Sequence, residues 1–173
     1  GYRLVVLLYH AEYVSAGTYA RLRARVGGAA ALLALGANQI YWHVRWHDGH
    51  TRVECRKDAT PFADGRGHGG LWRHTAHPED ALLGVRFTPP GTGTYAPFRV
   101  TDPAHWLFAG TGVARGDLFG LAGTTGLPLC GDETDKPTWL SRRRVQVVAR
   151  GLNRADAPDG PFTVYDGSPA WDG

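Results

Sequence analysis

The chain reads as an α/β domain built on parallel strands, and three features of its first 35 residues predict this. Two unbroken apolar runs of strand length occupy residues 3–9 and 29–35, a pattern typical of parallel strands covered on both faces. Between them Tyr19, Leu22 and Val26 recur at helical spacing, while Arg21, Arg23 and Arg25 fall on the opposite face. The punctuation agrees: Ser15 is a natural N-cap, and Gly27-Gly28 stops the helix near Val26. Strand, helix and strand with short links make a βαβ unit, whose right-handed crossover leaves the two strands parallel.

That topology places two breaks at one edge. The segment after the first strand, His10 to Tyr13, and the segment after the second, Gly36 to Tyr41, lie together at the carboxyl ends. Ligands and reactive groups gather at such edges in parallel sheets. Tyr13 and Tyr41 are therefore expected to be neighbours.

Further along, residues 40–46 and 51–57 flank His47-Asp48-Gly49-His50, which predicts a β-hairpin around an Asp-Gly pair. Residues 58–78 show no periodicity, and a connection of that length is usually functional or disordered. A helix start is expected at His77-Pro78-Glu79-Asp80, with Pro and acids in its first turn. Short strands are expected at 85–88 and 98–100, a last clear strand at 145–149, and an irregular tail over 151–173.

Composition bounds the function. The 173 residues suit one α/β domain with a real core. The net charge of +3 gives no clustered basic face for nucleic acid, and the run Arg142-Arg143-Arg144 reads as a solvated approach to a strand. No stretch nears the roughly 20 apolar residues of a membrane span, and no signal peptide is evident. The location expected on that ground is cytoplasmic. The chain has no Met, and its strand-like start predicts a piece excised from a longer protein. Two cysteines, Cys55 and Cys130, without C-x-x-C spacing say little about redox compartment.

HAEY at 10–13, GANQIYW at 36–42 running into HVRW, RVECRK at 52–57, LWRHTAHPEDALLGVRF at 71–87, HWLFAGTG at 105–112 and GDETD at 131–135 come in a telling order and spacing. Together they resemble the C-terminal domain of the N,N-dimethylformamidase large (beta) subunit family. The resemblance implies a class I glutamine amidotransferase-like fold: a flavodoxin-like three-layer sandwich with a mostly parallel sheet, here with an inserted hairpin. In that fold the turn after the second strand is a nucleophile elbow carrying cysteine. This elbow holds Gly36, Ala37 and Asn38, and neither Cys55 nor Cys130 occupies it. Cysteine chemistry is therefore excluded.

The resemblance implies instead a mononuclear iron held by two tyrosines and a glutamate, which fall on Tyr13, Tyr41 and Glu133. Phenolate and carboxylate are hard anionic donors suited to ferric iron. Glu12, Asp132 and Asp135 compete with Glu133 for the acidic role. His10 is placed as general base, and Asn38 as hydrogen-bond donor to an oxyanion. The implied activity is hydrolysis of a small N-substituted amide. The implied partners are that small molecule and other domains of the same parent chain, with an oligomer left open and no nucleic acid or membrane. The first motif departs from the family pattern at Ala11 and Val14, where Pro and Trp are usual, which changes the pocket.

Each residue also has a plainer reading. Tyr13 packs under the first helix, Tyr41 and Trp42 fill a core, Asn38 satisfies turn backbone groups, and Glu133 with its acidic neighbours forms a solvated loop or a cap. The domain is then a non-catalytic structural or ligand-binding module. A zinc site at His43 and His47 is disfavoured, because along a strand they stand ~13 Å apart at about 3.3 Å per residue. His68, His74 and His77 lie in or at the end of the long connection, available to close over a site or simply solvated.

Overall fold

The computed structural model describes residues 2–89, 92–141, 144–151 and 153. Arg142, Arg143 and nearly all of the expected tail, 151–173, lie outside the described residues. The chain divides into two compact units, one up to Phe87 and one from Thr88 on.

The first unit opens with the predicted βαβ arrangement. β1 (Leu4–Leu8) and β3 (Ala31–Leu35) pair in parallel, Leu4 facing Ala31 and Leu8 facing Leu35. Between them lie β2 (Tyr13–Ser15) and α1 (Ala16–Val26). The Ser15 hydroxyl accepts from the Thr18 amide at 3.2 Å, so the N-cap acts through its side chain. Arg23 and Arg25 occupy the last turn, where cations suit the helix dipole.

β2 also pairs in parallel with β4 (Trp42–His47), and β4 pairs antiparallel with β5 (Arg52–Cys55) across the predicted hairpin. The two parallel pairs are successive stretches of the same two strands. Backbone bonds bridge the interruption, from Ile40 N to Ala11 O at 2.8 Å and from Trp42 N to Glu12 O at 2.7 Å. Leu8 faces a partner 27 residues on, whereas Tyr13 faces one 29 on, so the second strand carries two extra residues through the break. The expected edge at the carboxyl ends is thus a break inside a longer ladder.

The core of this unit gathers on one side of that ladder. Val14, Tyr19, Ile40 and Trp72 are buried together, with Leu7, Leu22, Leu82 and Leu83 packed around them. Tyr19 stacks on Trp72 at 4.5 Å between centroids. Both polar tips are satisfied: Trp72 Nε1 donates to Val14 O and Tyr19 Oη to Pro78 O. The non-periodic connection is anchored here through buried Phe62 and Trp72, and by bridges pairing Pro61 with His68 and Trp42 with Leu71. α2 (Glu79–Leu83) follows Pro78, and Gly84 ends it in the left-handed region. β6 spans Val85–Thr88.

The second unit is built of short antiparallel pieces. β8 (Phe98–Val100) is flanked by β9 (Leu118–Phe119) and β12 (Ala149–Gly151), while β7 (Tyr95–Ala96) pairs with β10 (Cys130–Gly131). β11 covers Thr134–Pro137. Asn153 ties the pieces together, its side-chain amide donating to Thr94 O and Cys130 O.

This architecture corrects the expected three-layer sandwich with a mostly parallel sheet, flavodoxin-like or amidotransferase-like. Among the described residues, parallel pairing is seen in the β1–β3 and β2–β4 pairs, and most of the structure consists of small mixed and antiparallel sheets. The glycine- and proline-rich second half leaves strands of two to four residues, too short for a layered sheet. The expectation of strands covered on both faces also fails for β1 and β3. α1 covers one face, while Leu4, Val6, Leu8, Leu33 and Leu35 remain exposed on the other. The strand expected at 145–149 is absent except for Ala149. Thr101 and Asp102 both donate to Val148 O, and Thr101 Oγ1 donates to Val147 O, so irregular long-range bonds stand in place of a ladder.

Candidate functional site

The break in the long ladder is also where the backbone is most strained. Tyr9, Asn38 and Ile40 all have positive φ, at 53°, 57° and 55°, in a region that residues with a β-carbon seldom occupy. Gly36 has φ 133°, and a β-carbon there would lie 2.8 Å from Tyr9 O, so this position requires glycine. Strain of this kind persists only when the surroundings over-determine it, and it concentrates at functional sites.

Gln39 is the brace that holds the break. Its side chain is buried; Oε1 accepts from Ala11 N at 3.1 Å, and Nε2 donates to Tyr9 O and to Gly36 O. One amide therefore clamps both strands as they leave β1 and β3. Sequence reasoning singled out Asn38 and missed its neighbour; the available signal was a second amide side chain inside an otherwise apolar break.

Tyr13 opens β2 with its side chain 53% exposed, so the reading in which it packs under α1 does not hold. It faces Trp42 in register, and the Lys57 ammonium lies 5.9 Å from the Tyr13 ring and 5.0 Å from the Trp42 ring. Tyr41 stands one residue before β4. Its amide and that of Trp42 both donate to Glu12 O, at 2.9 and 2.7 Å. Two residues opposite one is a bulge, a device that re-aims side chains. The consequence is visible in the rings: Tyr41 meets Trp42 edge-on at 5.0 Å. Tyr13 and Tyr41 thus flank Glu12 and Trp42 on adjacent strands, although no ladder pair joins them directly.

Tyr41 is half-buried and held from behind. Phe87 packs edge-on at 5.5 Å, and the Arg73 guanidinium lies 5.0 Å from the ring centroid. Arg73 is itself fixed by Glu79, through Nε at 2.9 Å and Nη2 at 2.6 Å to the same carboxylate oxygen, and it donates to Phe87 O at 2.9 Å. Burial pushes the Glu79 carboxyl above its ordinary pKa, with Arg73 pulling the other way.

His10 and Glu12 precede Tyr13. A ring nitrogen of exposed His10 and a carboxylate oxygen of half-buried Glu12 lie within 4.8 Å of each other. Asn38 is buried in the break. Glu133 belongs to the second unit, half-buried between β10 and β11, next to Asp132 at φ 59°. The first unit alone therefore offers an accessible phenol, a second phenol fixed by packing, a carboxylate and an imidazole. These donors fit a hard cation of the ferric kind.

Neither thiol is activated, and His43, His47 and His77 are engaged elsewhere. Burial raises the Cys55 thiol pKa and drives that of Cys130 to about 11, so neither is a ready thiolate near neutral pH. His47 pairs with Glu54 at 2.8 Å. The His43 imidazole is pushed below its ordinary pKa chiefly by burial, opposed by a hydrogen bond to the His68 backbone. His77 stacks on Tyr19 and accepts from Arg23 at 3.2 Å, while His74 is exposed.

A small mixed-sheet domain whose sharpest feature is a strained, tyrosine-flanked break is thus defined by its own geometry. The sequence over residues 1–169 matches the family described as N,N-dimethylformamidase beta subunit-like, C-terminal, and the chain belongs to that family. No curated protein matches it.

Proposed function

We propose that this domain takes part in metal-dependent hydrolysis of a small N-substituted amide, with ferric iron held by Tyr13, Tyr41 and a carboxylate. The observation that carries the reading is the bulge at Glu12, which sets the two tyrosines on adjacent strands beside a carboxylate and an imidazole. Bound to such oxygen donors, iron would act as a Lewis acid toward an amide carbonyl. The chain's own groups then have separate duties. Exposed His10, within 4.8 Å of the Glu12 carboxylate, accepts a proton from the attacking water. Asn38 donates a hydrogen bond to the oxygen that gains charge. The Trp42 ring, capped by Lys57, walls the side on which Tyr13 lies.

A second reading draws on the bare face of β1 and β3. Five exposed aliphatic side chains on a parallel pair suit packing against a further domain or subunit, with the tyrosines serving structure alone. Metal analysis of the purified protein separates the two. The enzyme reading expects about one iron per chain and a visible tyrosinate-to-iron absorption band, both lost in Tyr41→Phe. Absence of iron and of the band, with unchanged stability in Tyr41→Phe, would leave the structural reading in place.

A further inference from the structure

We propose that Arg73 is a positioning residue for Tyr41, setting the direction of its phenol oxygen and presenting a fixed positive charge to its ring. This deepens the proposed function and rests on it for the part that concerns iron. The geometry is unusually determined for a surface-derived arginine. Its side chain is 15% exposed and its partner Glu79 only 1%. Two hydrogen bonds and an ion-pair contact from two of its nitrogens hold the fork: Nε donates to Glu79 Oε1, Nη2 donates to Phe87 O, and Nη2 also lies 2.6 Å from Glu79 Oε1. The third functional contact is the guanidinium against the Tyr41 ring, 5.0 Å from its centroid.

A merely structural ion pair does not require this arrangement. Burying a salt bridge is costly, and apolar packing commonly does as well or better for stability. Here the fork locks α2 to the end of β6 and leaves the cationic plane against one phenol. Phe87 packs on the same ring, so the residue whose carbonyl anchors Arg73 also confines Tyr41. A cation close to an aromatic ring attracts its π-system, so the fixed guanidinium holds the Tyr41 ring against its plane. Lysine at 73 keeps the charge but lacks the planar fork, so it cannot hold Glu79 and the Phe87 carbonyl and still present a plane to Tyr41.

The test compares wild type, Arg73→Lys and Glu79→Gln as the full 173-residue chain, titrated with ferric iron kept soluble by citrate. The expected result is a loss of at least tenfold in iron affinity in Arg73→Lys together with a shifted tyrosinate-to-iron band. Glu79→Gln, which loosens Arg73 without removing it, is expected to move both in the same direction by less. Unchanged affinity and an unmoved band in a folded Arg73→Lys overturn the proposal, and if that variant fails to fold, Glu79→Gln decides in the same way. If wild type binds no iron, the metal reading fails separately, and positioning is then read from the metal-free protein. With ring-¹³C tyrosine, the Tyr41 resonance is expected to move in Arg73→Lys while that of Tyr13 stays; an unmoved Tyr41 overturns the proposal.

Discussion

Replacing Gln39 with leucine tests whether the break in the ladder is held by that one amide. Leucine is close to glutamine in volume but lacks the amide, so the cavity contribution is small. What is lost is hydrogen bonding: the Ala11 amide loses its acceptor Oε1 at 3.1 Å, and Tyr9 O and Gly36 O lose their shared donor Nε2. Gln39 is buried, and each backbone group left unpaired there costs about 1–3 kcal/mol. For the Ala11 and Tyr9 groups together this is roughly 2–6 kcal/mol, and after the part Tyr9 recovers by leaving its strained φ of 53° a net loss of about 2–4 kcal/mol is expected. At about 2–4 °C per kcal/mol for a chain of this size, the melting temperature should fall by roughly 4–16 °C. Urea unfolding gives the free energy directly. A loss below about 0.5 kcal/mol, within what an ordinary surface substitution does, with the fold intact by circular dichroism, would refute the clamp.

Gly36→Ala should be more damaging than Gly49→Ala. The added carbon at 36 falls 2.8 Å from Tyr9 O, whereas at 49 it meets nothing within 4 Å. The second change carries only the left-handed penalty of about 1 kcal/mol, and equal melting temperatures would contradict the close approach. Ser15→Ala removes the acceptor of the Thr18 amide and should cost about 1 kcal/mol by denaturant titration. Lys136 in β11 supplies a pH test. Burial lowers its pKa from 10.5 to about 7, so between those values the unfolded chain binds more protons than the folded one. Stability should therefore rise as pH increases through that window, and the penalty is fully present below it. In Lys136→Met the slope contributed by this residue should vanish; an unchanged pH profile would show that the amine is not desolvated as described.

How much was legible in the sequence can be judged from single residues. Ser15, Tyr19, Leu22 and Gly27 announced α1 because capping and helical spacing act over a few residues, and the structure has the helix where they place it. The parallel pairing of β1 with β3 followed from the short links. The hairpin between β4 and β5 followed from Asp48-Gly49. Gln39 and Arg73 were passed over, since each gains meaning only from backbone atoms and rings brought in from elsewhere in the chain: Tyr9 O and Ala11 N for one, Glu79, Phe87 and Tyr41 for the other. Tyr13 illustrates the opposite limit. Its exposure shows that it is not buried, which its sequence neighbourhood left open.

By itself, then, the sequence determined the local elements of the first unit, the absence of a thiol from the break at Gly36–Asn38 and, through motif order, the family. Those depend on propensity, short-range capping and residue identity. Tertiary structure alone decided that the parallel pairs stay two strands wide, that the second half breaks into short antiparallel pieces, and that two extra residues at the break aim Tyr41 toward Trp42. Strand partnership and register are settled by contacts between distant segments, where backbone hydrogen bonds must be satisfied and apolar faces covered, and no local pattern encodes that competition.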